Sequence, residues 1–106
     1  MRKILVVALV ALHFGNLHAA SSITFGAAPE GDEKTVALRI MQANFDPKDC
    51  PKLVKATRLP QDGSIKIACS NGETFRIGTI FDAKRGKMTE FAMRCSAALK
   101  LGVTGC

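Results

Sequence analysis

The spacing of apolar residues changes several times along this 106-residue chain, and each change predicts a different element. Val36, Ala37, Ile40, Met41 and Ala43 recur at the interval of one helix face. Asp32 stands where an N-cap belongs, and Glu33 falls in the first turn, where the helix dipole favours an acid. Asp46 precedes Pro47, and a residue before proline is pushed out of helical backbone, so the helix is expected to end near Asn44.

Beyond Pro51 the period shortens to two. Turn signals at 60–63 (PQDG) and 70–72 (SNG) separate three strand-like runs, 53–59, 64–69 and 73–81. The second turn permits a test of register. A two-residue Asn71-Gly72 loop would set Ile67 against Arg76 and mix the two faces. A three-residue loop sets Ile67 against Phe75 and Ile65 against Ile77, gathering all four on one face with Cys69. Gly72 then occupies the left-handed bulge position, so the three-residue loop is the expected one. The simplest register for the preceding hairpin sets Val54 against Cys69.

After a further turn at 83–86 (AKRG) two periods compete. Thr89, Phe91, Met93 and Cys95 alternate as in a strand, while Met88, Phe91, Ala92, Cys95, Ala98 and Leu99 fit a helical stripe. The preferred assignment is a strand over 88–94, then a short helix over 97–101 capped by Ser96, with Lys100 in its last turn and Gly102 just past its end. One longer helix is the alternative.

The N-terminus alters how these elements are understood. Arg2 and Lys3, the apolar run ILVVALVAL over 4–12 and the small residues at 19–22 have the layout of a secretory leader, cut near Ala20. The run falls short of the roughly 20 apolar residues of a membrane span, and no later stretch is long enough. The organisation expected is therefore a signal peptide over 1–20, a flexible polar lead-in over 21–31 and one small domain over 32–106. Its location would be the periplasm or the medium.

About 86 residues (21–106) form a core of marginal size, so Cys50, Cys69, Cys95 and Cys106 are expected to form two disulfides in an oxidising compartment. The local pairing, Cys50 with Cys69 and Cys95 with Cys106, is preferred because Val103, Thr104 and Gly105 can loop the chain back. Cys69 with Cys95, leaving Cys50 with Cys106, is the alternative.

Composition narrows the chemistry. His13 and His18 both lie in the leader, and the chain has no Trp or Tyr. The mature domain thus lacks an imidazole base, any Ser-His-Asp or Cys-His arrangement, and a mixed Cys/His zinc site. Cysteine spacings of 19, 26 and 11 contain no Cys-X-X-Cys pair for zinc or redox work. The carboxylates do not converge along the chain, and the phenylalanines at strand positions, Phe81 among them, are expected in the core. No catalytic residue, cofactor or metal is expected.

Loss of Arg2 and Lys3 takes the formal charge from +6 to +4, a moderate excess with one cluster at Lys84, Arg85 and Lys87. That cluster is a candidate anion-binding site; a solvated turn is its plainer explanation.

RLPQDGSIKIACSNGETFRI followed by MRCSAALKLGVTGC is similar to small exported bacterial proteins of uncharacterised function. The helix, the strands and the segment FDAKRGK resemble the PepSY type of small periplasmic domain, in which a strand carries a short Asp-X-X-X-Gly turn. The cysteines depart from that pattern. These resemblances imply an envelope location and a binding or inhibitory role, and bring no catalytic residues.

The expected fold is α+β: an N-terminal helix on a small antiparallel meander of three or four strands, a short C-terminal helix and two disulfides. The expected function is that of an exported, non-enzymatic binding or inhibitory module whose partner is an envelope or extracellular protein. One alternative is a basic module that weakly contacts an anionic polymer, a membrane surface or nucleic acid. Another is a thiol redox protein using an exposed Cys95–Cys106 pair.

Overall fold

The computed structural model describes residues 25–102 and Cys106. One helix, α1 (Glu33–Asn44), packs on an antiparallel sheet of five strands: β1 (Phe25–Gly26), β2 (Leu53–Arg58), β3 (Ile65–Cys69), β4 (Thr74–Asp82) and β5 (Lys87–Arg94). A short helix, α2 (Cys95–Lys100), follows, and a single 3-10 turn (Pro47–Asp49) links α1 to β2.

The ends of α1 follow from its sequence. The Asp32 carboxylate accepts from the Thr35 N–H (3.0 Å) and from the Thr35 hydroxyl (2.9 Å). At the other end Phe45 takes extended backbone, φ −138° and ψ 157°, ahead of Pro47. Val36, Ala37, Ile40 and Met41 form the buried stripe. They meet Ile65, Ile67, Phe75, Ile77 and Ala92 on one sheet face in the main core.

Strand β4 is the spine of the sheet. β5 follows one of its edges throughout, from Phe75↔Arg94 to Asp82↔Lys87. Its other edge is shared: β3 covers the first part, through Ile65↔Ile77 and Ile67↔Phe75, and β1 covers the later part, through Phe25↔Ile80 and Gly26↔Thr79. The register of β3 with β4 is the one required by a three-residue loop, and Gly72 has φ +88°. Between the two partial strands lies Gly78, where a Cβ would sit 2.3 Å from the Gly26 carbonyl oxygen. Only glycine allows the handover from β3 to β1 there.

Strand β1 lies within the stretch expected to be a flexible lead-in, and this part of it is packed. Phe25 is buried, and with Met93 and Ala98 it forms a second, smaller core on the face opposite α1, joined by Ile80, Phe91 and Cys106. The Arg58 guanidinium ties down the following residues, donating to the carbonyls of Ala28 (3.1 Å), Pro29 (2.9 Å) and Gly63 (2.7 Å). Two paired residues are too few to show a period, so the strand count rises from the three or four expected to five.

Two local expectations are also corrected. α2 begins at Cys95 with Arg94 as its cap residue, and no side chain caps it, so Ser96 does not have the role expected of it. Leu53, rather than Val54, lies opposite Cys69, because a bulge between Leu53 and Lys55 takes up one residue. The bulge turns Val54 out to 54% exposure. It also shortens by one residue the offset between Cys50 and Cys69, and the chain bends through 50–52 to close the rest, so that their Cα atoms are 5.2 Å apart.

Candidate functional site

The cysteines pair locally, Cys50 with Cys69 and Cys95 with Cys106, and none is free. The first bridge fastens the start of β2 to the end of β3. The second holds Cys106 against the smaller core, where its main-chain oxygen also accepts from Lys66 Nζ at 2.5 Å. Cys95 is buried and Cys106 half-buried, so the exposed pair presupposed by a redox role is not present.

Most of the carboxylates are tied into the structure. Asp49 and Glu73 both meet the Arg94 guanidinium, at 2.7 and 3.4 Å, and that guanidinium also stacks on the rings of Phe45 and Phe75. Glu90 binds Arg39 through two hydrogen bonds of 2.8 and 3.1 Å. The Arg39 hydrogen bond holds the Glu90 carboxyl below its ordinary range despite partial desolvation. Asp62 accepts from the Ser64 hydroxyl and N–H and from Arg76. Burial raises the Asp62 pKa, but the Ser64 hydrogen bonds and the Arg76 charge outweigh it, and the net shift is downward. Among the described residues no three His, Cys, Asp or Glu side chains are grouped to hold a metal ion, and no helix is long and apolar enough to cross a membrane.

The three cations singled out in the sequence lie together on the β4–β5 turn, and all are exposed. Asp82 organises that turn. Its carboxylate accepts from the N–H groups of Lys84 (3.0 Å) and Arg85 (3.3 Å), and its carbonyl accepts from the Gly86 N–H (2.8 Å). Gly86 has φ +67°, the left-handed conformation that the turn demands. Arg85 also pairs with Asp82 at 3.6 Å, yet its side chain remains 65% exposed. Lys84 and Lys87 project from the turn beside it.

Directly behind this turn is Phe81, which the apolar pattern placed in the core. Phe81 and Met88 are cross-strand partners, and they are 60% and 48% exposed. Both share the face that α1 covers further along, but an open groove separates Met88 from Ile40, Ala43 and Asn44 of α1, and the helix leaves the pair uncovered. Its 12 residues span roughly 18 Å, at 1.5 Å per residue. The 9 residues of β4 span roughly 30 Å, at about 3.3 Å per residue. The outer end of the hairpin therefore projects past its cover. Comparing those two lengths in the sequence is the signal that would have identified it.

A second apolar surface lies where α1 meets the start of β2, a groove of about 240 Å³ lined by Leu38, Met41, Phe45, Pro47, Pro51 and Leu53. It carries no clustered charge. Comparison with protein-family models, with characterised proteins and with solved structures finds no match to this chain.

Proposed function

We propose that this chain is an exported, non-enzymatic module that acts by binding a component of the cell envelope or its surroundings. One observation carries the reading: the side chains with chemical capability are used as ties, while apolar and basic side chains are left facing solvent at the end of the β4–β5 hairpin. All four cysteines are in disulfides, which suits a non-cytoplasmic protein. Asp32, Asp49, Asp62, Glu73, Asp82 and Glu90 each cap, pair with an arginine or order a turn. The leader-like N-terminus and the absence of histidine from 21–106 support the same reading.

The test is to express the whole chain in a bacterial host, fractionate the cells and weigh the product intact. An exported binding module is expected outside the cytoplasm, without its first 20 or so residues and with no free thiol. Immobilised in that form, it should retain an envelope component that a β4–β5 turn variant retains less well. Recovery as a reduced, full-length cytosolic protein would overturn the reading.

A further inference from the structure

The hairpin end also indicates what kind of component is bound. We infer that the outer β4–β5 hairpin docks on the surface of an anionic lipid bilayer, with Phe81 and Met88 seated at the headgroup–acyl boundary and Lys84, Arg85 and Lys87 reaching lipid phosphates. The inference rests on the exported-binding reading and names the partner.

Phe81 and Met88 stand opposite one another, and each exposes about half its surface or more. A pair of large apolar side chains side by side at the end of a ribbon is an association surface rather than scattered surface residues. Near it lie four charged residues, of which only Asp82 is acidic. Asp82 spends its carboxylate on the turn amides and on Arg85, which leaves Lys84 and Lys87 without an acidic partner at this turn. Asp82 and Lys87, the next rung of the ladder, leave the ribbon on its other face, and Lys84 and Arg85 stand at its tip. On the face of Phe81 and Met88 the nearest further charges, Glu90 and Arg39, neutralise each other. The patch thus joins apolar area to a net positive rim.

That combination fits an anionic membrane better than a soluble polyanion. A soluble polyanion would use the cations and gain nothing from Phe81 or Met88. A bilayer uses both, since apolar burial and attraction to anionic headgroups add. The stems of Lys84 and Lys87 are long enough to keep their ammonium groups at phosphate level while the ring and thioether sink below it. Each such cation is expected to strengthen partitioning roughly five-fold, and the apolar pair together roughly ten-fold or more. A single small patch of this kind gives reversible, salt-sensitive attachment.

The experiment is vesicle co-flotation of the oxidised, exported protein, with phosphatidylglycerol mixed into phosphatidylcholine and with phosphatidylcholine alone. Flotation is expected with the anionic vesicles only, and is expected to fade as salt is added. The double variant F81A/M88A should bind roughly ten-fold more weakly, and K84A/R85A/K87A should fall to the phosphatidylcholine level. Both variants should stay folded with thermal midpoints close to the parent's, since the altered side chains are exposed and only the Phe81–Met88 contact and the Arg85–Asp82 pair are lost. The chain has no Trp, so F81W supplies a local reporter whose emission should shift to the blue with anionic vesicles alone.

Equal flotation on both vesicle types, full binding by F81A/M88A, or an unshifted F81W emission would overturn the inference. So would retention on heparin or duplex DNA that F81A/M88A leaves unchanged, which would indicate a soluble polyanion. Failure on vesicles, with an envelope protein still captured by the parent, would remove this inference and leave the exported-binding reading intact.

Discussion

Arg76 and Asp62 form an ion pair of 2.5 Å beneath the second face of the sheet, and the Arg76 side chain is only 4% exposed. Its Nε donates to the Ser64 hydroxyl oxygen at 2.7 Å, and its guanidinium lies over the Phe25 ring at 5.6 Å. One arginine thus joins β4, the β2–β3 turn and β1. Removing one member of a buried pair costs about 3–5 kcal/mol, because the other is left without its counter-charge. Asp62 retains some solvent contact, which places the Arg76→Met variant near the lower end of that range. A urea midpoint at neutral pH should show the loss. The double variant with Asp62→Asn should recover part of it, as expected of a coupled pair.

The same pair predicts how the fold responds to acid. The Asp62 carboxyl titrates below its ordinary value of 3.8 in the folded chain. Its contribution is therefore complete above that ordinary value and is lost as pH falls through the lower, folded one. Glu90, held below 4.5 by Arg39, acts in the same direction but is largely exposed and contributes little. Thermal midpoints measured on descending pH should fall below the ordinary carboxylate range. In Asp62→Asn that fall should be shallower, from a lower starting point. An acid limb identical to that of the parent would contradict the assignment.

Gly78→Ala should destabilise the fold more than its size suggests. The added methyl would stand 2.3 Å from the Gly26 carbonyl oxygen and 3.1 Å from the Phe25 ring, so β1 must move. Overpacking of this kind costs about 1–3 kcal/mol. The loss should appear as faster proteolytic nicking between residues 25 and 31, with the α1 core largely retained. Gly72→Ala is the contrast: its Cβ meets nothing within 4 Å, but its φ of +88° is strained for alanine. That variant should lose about 1 kcal/mol without freeing β1.

Each disulfide closes a short loop, 19 residues for Cys50–Cys69 and 11 for Cys95–Cys106. The chain-entropy relation gives about 3 kcal/mol for loops of these lengths. Replacing both cysteines of either pair by serine should lower the thermal midpoint by similar amounts. The local consequences should differ. Loss of Cys95–Cys106 should loosen Phe25 and Met93, which Cys106 helps to cover, while loss of Cys50–Cys69 should loosen the β2 edge. Hydrogen exchange on the two variants would separate the effects.

Much of this arrangement could be anticipated from the chain. The alternation of Ile65, Ile67, Phe75 and Ile77 carried enough information to set a register, because a slip of one residue would have turned the whole apolar set to water. Asp32 and Pro47 bounded α1 for local reasons that no tertiary contact overrode. Other features depended on partners distant in sequence. β1 is a strand only because Gly78 and Arg58 receive it. The bulge between Leu53 and Lys55, which brings Leu53 opposite Cys69, leaves no mark in the period of β2. Arg76 is buried because Asp62 and Ser64, at the far end of β3, receive it. At the hairpin end the error ran the other way: Phe81 has the alternation of a core residue, and only the short reach of α1 leaves it in water.

The handover along β4 has one more consequence. A sheet edge completed by two separate segments has a seam in it, and here the outer side of the seam is closed by a two-residue strand near the beginning of the described chain. Should Phe25 and Gly26 lift away, the main core under α1 would keep its contacts, but the backbone of Thr79 and Ile80 would lose its ladder on that side. The seam, rather than either outermost strand, is thus where the sheet can open without uncovering the core under α1.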